Sequence, residues 1–153
     1  MTGRRQSRKT LRTDTRALLE RCPGCNSRLA ARRITRFLDR ELEGAGFGTA
    51  QLGLMAQIAV LPDDTMATLL RRSGLEQSTL SRNLRALEAA GLVEIAVVEA
   101  DLRRRAVWLT EAGARRLEAA LPAWRAALAR LAAHLRPGLA RRLAKAAEVL
   151  AGD

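Results

Sequence analysis

A segment of nineteen residues, from Leu75 to Val93, constrains the fold of this chain most strongly. Three leucines, at positions 80, 84 and 87, are spaced four and three residues apart, which predicts that they share the buried face of a helix. Gly91 is a typical residue to end that helix. The other face carries short polar and basic side chains near its start: Ser78, Thr79, Ser81, Arg82 and Arg85. A helix with such a face can lie in a DNA major groove.

The residues before this segment predict three more helices. The first runs from a cap at Asn26 or Ser27 to Leu42. The second begins at a Thr49 cap, and its expected inward side chains are Leu52, Met55, Ile58 and Ala59. The third covers residues 66–72, with caps available in residues 62–65, and Gly74 makes the turn into the next helix. A helix, a short turn and a second helix form a helix-turn-helix.

After Gly91 the pattern changes to β-branched residues with a period of two. It predicts a strand over residues 93–98 and a partner strand over residues 106–109, joined by a charged hairpin tip over residues 99–105. We expect Trp108 to pack in the core, because the chain has only two tryptophans, two phenylalanines and no tyrosine.

The last third of the chain predicts two helices with apolar stripes. The first stripe comprises Leu117, Leu121, Trp124, Leu128, Leu131 and Leu135, and the second comprises Leu139, Leu143, Ala146 and Leu150. Their spacings of three and four residues are heptad-like. A domain of this size cannot easily cover both stripes, so we expect a homodimer rather than packing on the first helix alone. The only histidine, His134, is expected at the surface or at the interface.

The composition bounds the classes of function. A chain of 153 residues with 48% hydrophobic and 28% charged residues is expected to fold as one domain. It has no apolar run that could span a bilayer and no secretory signal, so the expected location is the cytoplasm. It also lacks a nucleophile with a base, a glycine-rich phosphate loop and a carboxylate cluster, which argues against an enzyme.

The net charge of +11 is unevenly distributed. Residues 1–21 hold seven basic and two acidic side chains, and this end is expected to be a flexible tail that can touch phosphates. Residues 61–110, which include the helix-turn-helix, hold seven of each sign. The prediction of DNA binding therefore depends on where the arginines lie and not on the total charge.

Three stretches, in this order and spacing, resemble the MarR family of winged helix-turn-helix transcriptional regulators. They are Leu69–Val93, Asp101-Leu102-Arg103, which is similar to the family's Asp-x-Arg wing motif, and Leu109-Thr110-Glu111-Ala112-Gly113, which is similar to the start of its dimerisation helix. The resemblance covers about residues 27–150 and implies a mainly α fold with a small β-hairpin wing and long dimerisation helices. The expected parts are a basic flexible tail with a Cys-Pro-Gly-Cys element (1–25), an N-terminal dimerisation helix (26–48), a winged helix-turn-helix DNA-binding lobe (49–110) and C-terminal dimerisation helices (111–153).

The resemblance implies a homodimer on double-stranded DNA, with two lobes reading an inverted repeat. It also implies an effector site between the dimerisation helices and the lobe. We expect a sequence-specific transcriptional regulator, a repressor that a small-molecule effector or thiol oxidation releases. The alternative is a dimeric protein-interaction module with a winged-helix fold that does not read DNA.

Each candidate residue has an expected role on DNA. Arg82 is the first choice for a base, because its guanidinium can bind O6 and N7 of a guanine together, and Asn83 and Arg85 are second choices. Ser78, Thr79 and Ser81 can bind phosphates or base edges. Arg103, with Arg104 or Arg105 beside it, is expected in the minor groove. Asp101 is expected to orient a wing arginine, because phosphate would repel its carboxylate.

Cys22 and Cys25 form the Cys-Pro-Gly-Cys element, just before the first predicted helix. Arg21, Arg28 and the helix N-terminus are expected to lower a thiol pKa here and to favour oxidation to a disulfide. Some MarR-family members sense peroxides through a cysteine near this region, although this chain lacks the tyrosines that those sensors use. Alternatives are a zinc site made by two cysteines from each of two chains, a haem ligand at Cys-Pro, and a pair of unreactive thiols.

Overall fold

The computed structural model describes residues 3–60, 64–98 and 101–150. The helices in those ranges are α1 (Gly3–Arg21), α2 (Pro23–Glu41), α3 (Thr49–Val60), α4 (Met66–Ser73), α5 (Gln77–Ala89), α6 (Glu111–Ala132) and α7 (Leu139–Ala147). The strands are β1 (Asp64–Thr65), β2 (Val93–Val98) and β3 (Asp101–Leu109). Single turns of 3-10 helix lie at Glu43–Ala45 and Glu148–Leu150. No helix in the described ranges is both long enough and apolar enough to cross a membrane.

The chain divides into two compact units, Met1–Phe37 and Leu38–Asp153. The first contains α1 and most of α2. Residues 1–25 are predicted to be a flexible tail, but Gly3–Arg21 forms helix α1. The prediction was wrong because the segment lacks an apolar stripe, whereas its arginines, leucines and other good helix formers favour a helix without one.

Helix α2 starts three residues before the predicted caps. Its first residue is Pro23, whose missing N–H would have no helical partner at this position in any case. Asn26 does not cap α2, because its Nδ2 donates a hydrogen bond to the carbonyl oxygen of Glu20 at 2.9 Å.

The second unit is built around one apolar core. Its buried side chains are Leu42, Phe47, Leu52, Leu54, Met55, Ile58, Leu69, Leu80, Leu84, Leu87, Val93, Val107, Leu117 and Ala120. The predicted inward positions of α3 and α5 are confirmed with one exception. Ala59 is exposed and Leu54 is buried, because the core surrounds more of α3 than a single helical stripe.

Helix α3 is capped by a side chain from α2. Oδ1 of Asp39 accepts the backbone N–H of Thr49 at 2.7 Å. The predicted cap, the hydroxyl of Thr49, is instead buried without a hydrogen-bond partner among the described residues. A carboxylate at a helix N-terminus also interacts favourably with the helix dipole, so Asp39 attaches the end of α2 to the start of α3.

The helix-turn-helix forms where it is predicted. Oγ1 of Thr65 accepts the N–H of Thr68 at 3.3 Å and caps α4. Gly74 ends α4 with a φ of 63°, in the left-handed region that glycine adopts without a steric penalty. Leu80, Leu84 and Leu87 then pack the buried face of α5 into the core.

The sheet has the order β1-β3-β2, and both pairings are antiparallel. The strand predicted over residues 93–98 is confirmed, but β3 starts at Asp101 and not at Ala106. Val97 pairs with Arg105 and Val98 pairs with Asp101, so residues 102–104 interrupt the ladder. The charged segment predicted as a hairpin tip therefore belongs largely to a strand with an irregular register.

The start of α6 packs against the end of α5. Oγ1 of Thr110 donates to the carbonyl oxygen of Gly91 at 2.7 Å and accepts the N–H of Gly113 at 2.9 Å, so it caps α6 and holds the turn together. The N–H of Thr110 donates to the carbonyl oxygen of Leu92 at 3.1 Å. A Cβ atom on Gly113 would lie 1.9 Å from that carbonyl oxygen. Only glycine allows this approach without a shift of the backbone.

Helices α6 and α7 carry the apolar stripes that the sequence predicts. Leu117 is buried against the lobe, whereas Trp124 and Leu128 farther along α6 are exposed. Every residue of α7 is exposed, including Leu139 and Leu143. The single chain therefore leaves the stripe of α7 exposed, together with Trp124 and Leu128 in the stripe of α6.

We predict that Gly113→Ala lowers the free energy of unfolding by about 1–3 kcal/mol, because the new methyl group meets a backbone oxygen that cannot move alone. Gly53→Ala is the matched control, since Gly53 lies inside α3 and a Cβ there would meet nothing within 4 Å. The control is expected to raise stability by up to about 1 kcal/mol. Urea unfolding at one protein concentration measures both, and equal stability of the two variants would contradict the close approach.

Candidate nucleic-acid interface

Helix α5 separates its apolar and polar residues sharply. Ser78, Arg82 and Arg85 are exposed, opposite the buried leucines of the same helix. Among the residues that the structure describes, neither arginine has a hydrogen-bond or ion-pair partner. Two guanidinium groups on an exposed helix face can therefore bind an external anion without first breaking an internal contact.

The remaining polar residues of α5 are less accessible. Thr79, Ser81 and Asn83 are half-buried. Nδ2 of Asn83 donates to the backbone carbonyl of Thr79 at 2.9 Å, which engages its amide nitrogen within the helix. Ser81 lines a groove of about 310 Å³ between α5 and β2, together with Arg85 and Glu88.

The preceding helix adds positive charge beside α5. Arg71 and Arg72 occupy the last turn of α4 and are exposed. One guanidinium nitrogen of Arg71 donates to Oγ1 of Thr68 at 3.1 Å, and Thr68 is itself bonded to the Thr65 cap. The position of Arg71 is thus partly determined by the network that begins α4.

The wing residues proposed for DNA contact lie on β3. The backbone of Asp101, Arg103 and Arg104 belongs to the strand, next to or within the interruption of its ladder. Their side chains lie outside the described residues, so the roles predicted for them stay predictions.

Trp108 does not belong to the buried core, contrary to the prediction. It is half-buried and pairs across the sheet with Glu94, and its Nε1 donates to Oε2 of Glu94 at 2.8 Å. Its neighbour Val107 points into the core instead, because successive side chains of a strand alternate between the two faces.

An apolar cavity of about 280 Å³ lies between α3 and α6. Its lining residues are Thr49, Leu52, Gly53, Ala56, Leu117, Leu121 and Trp124. None of these side chains carries a charge, and the hydroxyl oxygen of Thr49 is itself buried from solvent.

Cys22 and Cys25 are free thiols at the junction of α1 and α2. Cys22 lies immediately before Pro23. The backbone N–H of Cys25 donates a hydrogen bond to Sγ of Cys22, with a nitrogen–sulfur distance of 3.5 Å. This hydrogen bond is the main cause that lowers the pKa of Cys22, and the Cys25 thiol, the Gly24 N–H and the charge of Arg28 act in the same direction. The lowered pKa of Cys22 has the direction expected at a helix N-terminus, and Arg28 contributes to it, whereas Arg21 is not among its causes.

Two further predictions concern metals and histidine. His134 is exposed and lies just beyond the end of α6. Within residues 3–60, 64–98 and 101–150, no three His, Cys, Asp or Glu side chains cluster as a metal site. A zinc site shared between two chains and a haem ligand at Cys22 stay hypotheses.

Two polar contacts near the lobe could not be predicted from the sequence. Asp39 caps α3, and Arg130 of α6 forms an ion pair with Glu41 of α2. Asp39 and Thr49 are 10 residues apart, and Glu41 and Arg130 are 89 residues apart, so no local spacing rule connects them. The partly buried side chain of Glu41 is 22% exposed, so its ion pair is better shielded from water than a fully exposed one.

Comparison with known proteins identifies the family. Residues 45–104 match a sequence model described as MarR family. The Mycobacterium tuberculosis transcriptional regulator MosR, solved in complex with DNA, is 33% identical, with a TM-score of 0.72 over 86% of this chain and 99% of that one. A MarR-family transcriptional regulator from Silicibacter pomeroyi is 30% identical, with a TM-score of 0.61 over 87% of this chain and 90% of that one. No curated protein matches at a significant level.

The chain belongs to the MarR family. Apo MarR from Escherichia coli shares the fold at 21% identity, with a TM-score of 0.65 over 85% of this chain and 97% of that one. The predicted family, the winged-helix fold class and the prediction of a transcriptional regulator instead of an enzyme are confirmed.

Proposed function

We propose that this MarR-family chain is a homodimeric, sequence-specific DNA-binding repressor that leaves an inverted-repeat operator when an effector binds or a thiol is oxidised. The observation that carries the proposal is the exposed face of α5, where Arg82 and Arg85 lie unpaired opposite three buried leucines. The related MosR was solved in complex with DNA, which supports the same type of ligand here.

In this proposal the N-terminal half of α5 enters the major groove. Arg82 binds a guanine through both of its terminal nitrogens, and Ser78 and Thr79 contact nearby phosphates. Arg85 lies one turn farther along and binds phosphate. Asn83 and Ser81, which are half-buried, contribute at the edge of the contact.

The wing supplies the second contact. Arg103 enters an adjacent minor groove, where a narrow A·T-rich segment has the most negative potential. Arg104 follows the phosphates and Asp101 orients one of these arginines. The interruption of the ladder at residues 102–104 supports this arrangement, because β-bulges redirect side chains at the ends of strands.

Exposed apolar residues support a two-fold partner. Trp124, Leu128, Leu139 and Leu143 are between 37% and 52% exposed in the single chain. Full burial of an exposed side chain of this kind contributes about 1.5–3 kcal/mol, and covering the part that is still exposed contributes roughly half of that or less per residue, summed over several residues. The dimer then holds two α5 helices about 34 Å apart, the distance between successive major grooves on one side of DNA.

The operator is found by selecting bound duplexes from a random pool. We predict that Arg82→Ala costs about 1–3 kcal/mol on that operator and relaxes the preference at one base pair. Arg115→Ala, an exposed arginine of α6 that pairs with Glu111, is the control and should bind as the wild type does. Equal losses on all sequences would assign Arg82 to phosphate alone. A protein without sequence preference at physiological salt would be the interaction module instead.

Oxidation of Cys22 by a hydroperoxide provides one route of release. The Cys22 thiolate attacks a peroxide oxygen, the O–O bond breaks, and the leaving oxygen takes a proton, which leaves a sulfenic acid on Cys22. The Cys25 thiolate then attacks the Cys22 sulfur, a disulfide forms, and hydroxide departs as water with the proton lost from Cys25. The peroxide receives both electrons.

The disulfide strains the first turn of α2. Cys22 lies immediately before α2 and Cys25 lies in its first turn, and a disulfide requires their Cβ atoms to come within about 3.5–4.5 Å of each other. Forming the disulfide also removes the hydrogen bond from the Cys25 N–H to Sγ of Cys22. Because α2 continues to Asp39 and Glu41, a change at its first turn is carried along one helix toward the residues that hold α3 and α6.

We predict that hydroperoxide lowers the operator affinity of the wild type and that dithiothreitol restores it. Cys22→Ser combined with Cys25→Ser should remove the response without changing the affinity of the reduced protein. In the Cys25→Ala background, alkylation of Cys22 should remain faster than that of a free thiol at pH 7, since Gly24 and Arg28 still lower its pKa. Release of DNA from the double mutant by oxidant would contradict the thiol switch.

The apolar cavity between α3 and α6 provides the second route. Its size and its uncharged, mainly apolar lining suit a neutral, single-ring aromatic compound. An occupant would separate α3 from α6 and so alter the distance between the two α5 helices.

We predict that phenol, used as a probe, changes the fluorescence of Trp124 and lowers operator affinity. Ala56→Met should abolish both effects because its side chain fills the cavity, whereas Ala59→Met, which does not line the cavity, should not. The variant Trp108→Phe isolates the Trp124 signal. An unchanged response in Ala56→Met would rule out this cavity as the effector site.

A further inference from the structure

Helix α1 concentrates its positive charge on one side. Arg4, Arg8, Arg12 and Arg16 recur every four residues, and Arg5 and Lys9 fall between them. At 3.6 residues per turn, these six positions occupy an arc of about 140°. Asp14 and Glu20, the acidic residues of α1, lie outside that arc. We call these six residues the α1 basic stripe.

The described part of the stripe is open to a ligand. Arg12 and Arg16 are exposed, and neither side chain has an ion-pair or hydrogen-bond partner in the part of the chain that the structure describes. From Arg4 to Arg16 the helix rises about 18 Å. A row of like charges over that length repels itself and is stabilised by a polyanion.

We propose that the α1 basic stripe binds the phosphate backbone of duplex DNA outside the operator. The proposal rests on the proposed function, which brings the chain onto DNA, and it adds a surface distinct from α5 and the wing. Double-stranded DNA carries one negative charge per about 1.7 Å of its axis, so the stripe extends over many phosphates. The interaction is independent of base sequence.

The composition of α1 favours DNA over an anionic membrane. A helix that lies on a membrane buries a broad apolar face, commonly with aromatic residues. Between Gly3 and Arg21 the apolar side chains are Leu11, Ala17, Leu18 and Leu19, and no residue is aromatic. Leu19 falls within the arc of the stripe, and the other three do not form a continuous face broad enough for insertion.

The test compares two duplexes, one limited to the selected operator and one extended by 15 base pairs on each side. The dissociation constant is measured against salt concentration for the wild type and for the variant with Arg4→Gln, Arg8→Gln, Arg12→Gln and Arg16→Gln. Glutamine is a good helix former, so α1 is retained, which circular dichroism checks. The control variant removes the same charge from the C-terminal segment, with Arg136→Gln, Arg141→Gln, Arg142→Gln and Lys145→Gln.

We predict that the salt dependence of the wild type is steeper on the long duplex than on the short one. The difference in the slope of log K against log salt should be about 0.9 for each cation of the stripe on a phosphate, and the four arginines account for at most about 3.6 of it per subunit. The α1 variant should lose that share of the difference but keep wild-type affinity on the short duplex, and the control variant should keep both the difference and the affinity.

Three results would overturn the proposal. The first is a wild-type slope that does not depend on duplex length. The second is an equal loss in the control variant, which would indicate a general effect of net charge. The third is an α1 variant whose salt slope on DNA equals that of the wild type but which no longer binds vesicles of phosphatidylserine and phosphatidylcholine that the wild type binds. That result would identify a membrane surface as the partner. Absence of binding to any duplex would instead contradict the proposed function itself.

Discussion

The close approach of Gly113 to the carbonyl oxygen of Leu92 is the constraint on which the rest of the lobe depends. It allows the Thr110 hydroxyl to bond at once to the turn after α5 and to the first turn of α6. The same turn begins β2, so the ends of α5, the wing and α6 meet within a few residues. In the proposed function α5 carries base-contacting arginines and must be held rigidly, and the hydrogen bonds of Thr110 join the end of α5, the start of β2 and the start of α6.

The last residues of α2 hold two other helices in a similar way. Asp39 holds the N-terminus of α3, and Glu41 holds Arg130 of α6. Both contacts are polar and directional, and they therefore tolerate small shifts less than the apolar contacts of the core do. A displacement at the end of α2 would act on α3 and α6 through these two contacts. In the proposed function, they link the thiols on either side of Pro23-Gly24, or a ligand between α3 and α6, to the spacing of two α5 helices.

Local patterns in the sequence predicted most of the elements. The leucine spacing of α5, the caps available in residues 62–65 and the β-branched residues of β2 are each local signals, and each element formed where the signal placed it. The errors arose where a local signal was absent or ambiguous. Helix α1 lacks an apolar stripe, the register of β3 depends on pairing with β2, and the outward side of Trp108 follows from that register. The bond from Asp39 to Thr49 joins two helices and has no local pattern at all.

The sequence alone determined that a helix-turn-helix is followed by a wing and by long helices. It also placed Arg82 and Arg85 on the polar face of α5. It could do so because capping, helical periodicity and strand alternation act over a few residues. Only the tertiary structure decided which polar groups are engaged and which remain open. Asn83 is bonded within its own helix, Arg82 has no partner among the described residues, and the Thr49 hydroxyl is buried without a partner while Asp39 caps α3. The outcome at Thr49 depends on the packing of α2 against α3, whereas the bond of Asn83 spans a single helical turn.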